Sequence, residues 1–261
     1  MTDDDSRDSR AEPDALVGLI PVDWPRDQLE ALTDVHADLW GESLAIHRQP
    51  EADVAACTVG DARPVIRVDF DEPLPDLAEL VETAKRPFED DEAARLEEHT
   101  SVWRLTMDDV SEAPVERARR FARLVTTAIE AGAPGVFFPF CLQLHSPSLV
   151  KQLAADFDQP PALVNLYVNA WNDDDWMITR GMTVFGFPEI ETRIDTGLND
   201  AYFRLMDVAA GMLFQGNAYP DGARIELGPR TFDLEKGPAG PDDTMVPICG
   251  AFGRLTLQPQ A

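Results

Sequence analysis

Lysine is nearly missing from this chain. Lys85, Lys151 and Lys236 are the only three among 22 basic residues, and all the others are arginine. A GC-rich coding sequence would by itself favour arginine. An acid-rich, lysine-poor surface equally suits a salty cytoplasm, where hydration and self-repulsion keep a protein in solution. Cysteine is as scarce. Cys57, Cys141 and Cys249 are far apart, odd in number and each set in an apolar run. That excludes a disulfide framework and fits buried free thiols in a reducing compartment. No apolar run of the sequence approaches the roughly 18 residues needed to span a bilayer. The opening MTDDDSRDSRAEPD has neither the apolar core nor the basic flank of a signal peptide. Residues 1–13 read instead as a solvated, disordered acidic tail.

Chemical signatures are missing too. There is no Walker A loop and no G-x-G-x-x-G, so nucleotide binding by the usual loops is unsupported. No G-x-S-x-G elbow is present. Cys141 and His145 lie four apart, but no second Cys/His pair completes a tetrahedral zinc site. No metal and no cofactor is therefore expected. Acid is what the chain has in excess: 48 Asp and Glu against 22 bases give a formal net charge of −26. Such a polyanion repels nucleic acid and anionic membrane at long range. Hydrophobic residues make up 44% of the 261, enough for a proper core in one large domain or two ordinary ones.

The folded part is expected to begin at ALVGLIPV, a buried strand. A helix follows to Gly41, opened by Pro25. DVAACTV and PVIRVDF form a hairpin through GDAR, and PDLAELVETA is a second helix. The charged run over 87–98 reads as the boundary between an N-terminal half, 14–88, and a C-terminal half, 99–261. The second half opens with the strand SVWRLTM and the helix starting at Pro114 and closing at Gly132. GVFFPFCLQL reads as a strand, and SPSLVKQLAADF as a short helix with Ser146 as its N-cap. ALVNLYVNAW and ITRGMTVFGF read as strands flanking an acidic segment. LNDAYFRLMDVAAGMLFQG is apolar around most of its circumference and so should be largely buried. Three short strands, ARIEL, RTFDL and AFGRLTL, end the chain. Both halves run strand–helix–strand–strand–helix. The expected fold is thus α+β, two related βαββα (ferredoxin-like) half-units with mostly antiparallel sheets, packed as one body.

The stretch WNDDDWMITRGMTVFGFPEIE, residues 171–191, is the most unusual. Asn and Asp are turn formers, so a hairpin with an acidic tip is the plain reading. The sharper one is a hard-cation site from Asp173, Asp174, Asp175, Glu189 and Glu191, although their spacing does not match the twelve-residue calcium loop. Gly181 marks a bulge or a close backbone approach. Arg180 beside it pairs with a carboxylate, Glu189 or Glu191, or else lines an anion-binding pocket. Arg117, Arg119, Arg120 and Arg123 read as a solvated helix face balanced by Glu112 and Glu116.

TRGMTVFGFPEIE, the apolar helix after it and YPDGARIELG, together with EAGAPGVFFP and SPSLVKQL upstream, resemble the bacterial family known as domain of unknown function 4261 over residues 100–230. The resemblance implies a bacterial-type cytoplasmic domain; it brings no activity and no catalytic residue. Two functions are weighed. The first is a non-enzymatic cytoplasmic protein that binds a protein partner, a basic one, in an immunity-like or accessory role. The alternative is an enzyme of unassigned reaction with a pocket near Arg180, Glu189, Glu191 and His145.

Overall fold

The structure is a computed structural model and describes residues 15–23, 26–49, 54–59, 65–74, 77–107, 112–237 and 252–260. The expected acidic tail, Pro25, the GDAR turn and Cys249 lie outside these residues. Among the described residues, two sheets and seven α-helices form an α+β fold with sheets that are antiparallel but for one strand pair.

The first sheet is built on β1 (Leu16–Val22), whose apolar run leaves nearly every side chain buried. It pairs antiparallel along its full length with β5 (Ser101–Met107), from Leu16↔Met107 to Val22↔Ser101. β2 (Leu44–Gln49), β3 (Val54–Val59) and β4 (Val65–Asp71) extend a meander from β5. On the other side of β1 lies a small hairpin of β6 (Val136–Phe138) and β7 (Gln143–His145). The order is β2-β3-β4-β5-β1-β6-β7.

Two expectations change here. The charged run, which follows α2 (Ala78–Glu82), is not a break in the sheet: it holds α3 (Asp90–Glu97), opened by a reciprocal capping box between Glu89 and Glu92. β5, which follows it, sits at the sheet centre, so this sheet runs through the expected boundary and ends only at β7. Nor does the order follow a ferredoxin-like unit, since three strands separate β1 from β2. β1 instead finds its long partner about 85 residues downstream, a pairing that local patterning does not encode.

α1 (Leu32–Trp40) and α4 (Pro114–Glu130) pack together, with α4 against β1. Gly41 ends α1 at φ 64°, the left-handed stop expected of it. α4 buries a broad stripe, with Ala118, Phe121, Ala122, Val125 and Ile129 at most 1% exposed. Thr127 on α4 organises a buried polar junction. Its hydroxyl donates to the Arg123 carbonyl at 2.9 Å and accepts from His36 Nδ1 at 2.8 Å and Trp40 Nε1 at 3.3 Å. The substitution Thr127→Val removes the acceptor from two donors at once. It is expected to lower unfolding free energy by about 2 kcal/mol in urea titrations. A loss below about 0.5 kcal/mol would show that water reaches this junction.

The second sheet has the order β11-β12-β13-β10-β9-β8. β8 (Asn169–Asp173) and β9 (Trp176–Arg180) are the expected hairpin. Its exposed tip is acidic, with Asp174 at φ 49°. β10 (Glu189–Arg193) pairs antiparallel with β9 and parallel with β13 (Arg254–Pro259). β11 (Arg224–Leu227) and β12 (Arg230–Gly237) complete it. ALVNLYVNAW is mostly helix: α6 (Pro160–Tyr167) precedes β8. GVFFPFCLQL is not one strand but the β6–β7 hairpin, with Cys141 in its turn.

α7 (Leu198–Gln215) packs on β8, β9 and β10. α5 (Pro147–Ala154) and α6 run from α4 to α7, and one apolar core joins residues of both sheets. α7 departs from its expected burial. Leu198, Phe203 and Phe214 are 53%, 62% and 83% exposed.

Candidate functional site

Of the residues nominated from sequence, Glu189 is the most deeply committed. β9 and β10 are paired only as far as Glu191↔Ile178; beyond that they diverge into a 3-10 turn, Met182–Phe185. The backbone donors released there need acceptors, because they are buried. Glu189 supplies them. Its Oε1 accepts from Gly181 N at 2.8 Å and Met182 N at 3.1 Å, and its Oε2 from the Thr179 hydroxyl at 2.8 Å. Thr179 Oγ1 in turn accepts from Ile190 N at 2.7 Å. The side chain has no exposure, and burial pushes its carboxyl up to about 7 despite these donors.

Glu191 sits two residues on, so on the same side of the strand. It accepts from the Thr256 hydroxyl at 2.6 Å and pairs with Arg254 Nη1 at 2.9 Å. Thr256 is its register partner on β13. Arg180 bonds neither acid, contrary to the expected ion pair. Its Nε donates to the Phe140 carbonyl at 2.8 Å, and its guanidinium stacks 5.4 Å from the Trp171 ring. The long-range partner Arg254 outcompetes the nearby Arg180 because β13 runs alongside β10.

His145 is wholly buried at the end of β7. Its Nε2 donates to the Leu166 carbonyl at 2.7 Å, and Phe138 lies edge-on 5.6 Å away. Burial, helped by the Lys85 charge, pulls its pKa down to about 3. Cys141 is equally enclosed. Burial pushes the thiol up to about 12, against the opposing Lys85 charge. A thiolate nucleophile with an imidazole base is therefore not assembled here.

Sequence reading missed Lys85. Its ammonium donates to the carbonyls of Asn165 at 2.9 Å and Val168 at 2.6 Å, closing the C-terminal end of α6. Burial draws its pKa down to about 8, with Cys141 opposing. The available signal was rarity: a lysine kept in an arginine-rich chain between Ala84 and Arg86. Lys85, Arg180 and Glu189 all act electrostatically on Cys141. The nominated groups thus share a neighbourhood, but each is spent on a different backbone carbonyl, amide or side chain. Among the described residues, no group of three or more His, Cys, Asp or Glu is placed to hold a metal ion.

The basic cluster on α4 divides. Arg119 pairs with Glu116, Arg120 with Glu112 at 2.6 Å, and Arg123 with Glu42 at 2.6 Å, the internal balance expected of them. Arg117 belongs to no solvated face. It is fully buried, with Nη2 donating to the Val184 carbonyl at 3.3 Å.

An open cleft of about 1200 Å³ lies elsewhere among the described residues. The N-termini of α4 and α6, the C-terminus of α7 and the 3-10 turn border it, with Val115, Leu163, Phe185, Phe187 and Phe214 among its lining. A smaller hollow of about 300 Å³ lies between Pro160, Pro161, Ala210 and Phe214. Phe214 stands as a ridge between the two. Arg119, the base at the rim, is held by Glu116, Asp158 at 3.4 Å and the Phe157 carbonyl at 3.1 Å.

No family model, curated protein or solved structure matches the chain. None of the helices among the described residues is long and apolar enough to cross a membrane.

Proposed function

We propose that this is a non-enzymatic binding protein that acts by capturing a basic protein partner, in an immunity-like or accessory role in a bacterial cytoplasm. The observation that carries the reading is where surface and chemistry fall. Of the polar groups nominated for a pocket, Glu189, Glu191 and His145 are buried and Arg180 is half-buried, and each is bonded within the fold, whereas the open cleft mixes apolar and polar side chains and is topped by a phenylalanine that is 83% exposed. Exposed aromatic side chains beside a groove mark interaction sites more often than reaction centres. A net charge of −26 speeds encounter with a basic partner and repels nucleic acid. The likeness of residues 100–230 to the domain of unknown function 4261 family is part of this reading, and it adds no activity.

Pull-down from a native lysate tests it. A stoichiometric partner retained at low and moderate salt by the full chain, and lost by Phe214→Ser, is the expected result. Recovery of no stoichiometric partner at either salt concentration counts against a binding role.

A further inference from the structure

We infer that the exposed face of α7, with the hollows on either side of Phe214, seats a cationic amphipathic helix. This deepens the partner-binding reading and rests on it. Phe203, Asp207, Ala210 and Phe214 follow one another at i, i+4, i+7 and i+11, one stripe of a helix. The stripe is about 16 Å long at 1.5 Å per residue, three turns of a docking helix. The site lies between helix surfaces, where an apolar side chain of the partner can drop into each hollow while Phe214 stands between them. That is the geometry of a helix laid in a groove.

Charge selects the occupant. Asp200 and Asp207 are exposed along α7, and Asp156 is exposed on the segment that leads into α6. The only base on α7, Arg204, is buried and paired with Asp195 at 2.8 Å. Arg119 is neutralised by Glu116 and Asp158. The stripe therefore sets Phe203, Ala210 and Phe214 around an exposed acid, Asp207, with no compensating free base on α7. An anionic lipid or fatty acid is repelled there. A second copy would set Asp200 and Asp207 against their equivalents across an interface between two chains of charge −26. A helix with leucine-like anchors on one side and lysine or arginine on the other satisfies both the apolar and the acidic part.

The test uses the purified full chain and synthetic helical peptides of about 18 residues. One carries leucine on one face and lysine on the other, a second has glutamate in place of lysine, and a third has serine in place of leucine. Titration calorimetry at roughly physiological salt is expected to give one-to-one binding for the leucine–lysine peptide alone. Phe214→Ser is expected to weaken it by about tenfold or more, and Phe203→Ser by a smaller factor. Asp207→Asn should flatten the salt dependence. Asp90→Asn on α3, a charge change elsewhere, should leave affinity unchanged. Both phenylalanines are exposed, so the variants are expected to keep the near-ultraviolet circular dichroism of the parent.

Four results would overturn the inference. Binding that survives both phenylalanine substitutions would mean general attraction to a polyanion. Equal affinity for the glutamate peptide would remove the charge argument. A dimer by light scattering that Phe214→Ser converts to a monomer would assign the face to a second copy. Binding that appears only when residues 238–251 are replaced by a glycine–serine linker would assign it to the chain itself. Partner capture from lysate that persists without peptide binding sinks this inference but leaves the broader reading standing. Peptide binding with no lysate partner does the reverse.

Discussion

The substitution Gly181→Ala is expected to destabilise the chain by more than ~4 kcal/mol, enough to abolish soluble expression of a marginally stable protein. Two costs coincide at this residue. Gly181 has φ 118°, a backbone conformation that side chains with a Cβ rarely adopt. An added Cβ would also sit 2.0 Å from the Tyr167 carbonyl oxygen and 3.3 Å from Cys141 Cβ. Neither neighbour has room to yield. Tyr167 ends α6, donates its hydroxyl to the Ala118 carbonyl at 2.9 Å, and has its ring packed on Phe138, Phe140 and Phe185. Gly41 is the internal control, because its φ of 64° carries the conformational cost while nothing lies within 4 Å of an added Cβ. The substitution Gly41→Ala should therefore cost only about 1 kcal/mol. Equal urea midpoints for the two variants would show that β9 does not approach α6 as described.

The close approach at Gly181 was legible: a glycine after Arg180, inside a strand-like run, has few other reasons to be there. Its partner was not, since Tyr167 was read as part of a strand. The segment Ala162–Tyr167 is apolar on nearly all sides, so it carries no helical period, and its length fits a strand equally well. Pro160 and Pro161 were the cue for a helix start. α4 was legible for the opposite reason. It has seventeen residues, a proline at its start and a one-sided stripe, and its bounds agree with expectation. Arg117 escaped because spacing shows which residues share a face but not how far the neighbouring turn folds over it.

Sheet order was the least legible feature. The β10–β13 pairing sets Glu191 beside Thr256, and β1 pairs with β5 across most of the first sheet's sequence. Such contacts depend on which strands meet after collapse, and no local pattern records that. The same gap explains the site. Sequence identified Glu189 and Glu191 as carboxylates worth following, but their roles turn on partners such as Arg254, 63 residues beyond Glu191. Exposure on α7 is not legible in the sequence, because hydrophobicity alone does not distinguish a covered face from an open one. A helix that is apolar on a face with no covering element among the described residues is a surface, and Phe203 and Phe214 are that case.

The second large effect is a pH dependence hidden in the parent chain. Glu189 titrates near 7 when folded, against an ordinary value of 4.5. The folded state therefore holds more protons than the unfolded state between those values. Its contribution to stability falls by about 3 kcal/mol as pH rises across that window. His145 does the opposite. Its folded pKa near 3, against 6.5, means the folded state holds fewer protons, and stability rises as pH climbs between them. The two slopes cancel from about pH 4.5 to 6.5, so neither group shows in the parent there. The substitution Glu189→Gln removes one of them. The amide oxygen still accepts from Gly181 and Met182, but its nitrogen faces a Thr179 hydroxyl that already accepts from Ile190, which fixes a pH-independent cost. On top of that cost, the deficit relative to the parent should be about 3 kcal/mol larger at pH 4.5 than at pH 8. Taking the difference between the two proteins removes the background of the remaining acids. Chemical denaturation at the two pH values measures it. A deficit that stays constant from pH 4.5 to 8 would place the Glu189 carboxylate in contact with water and remove the reason for treating this junction as sealed.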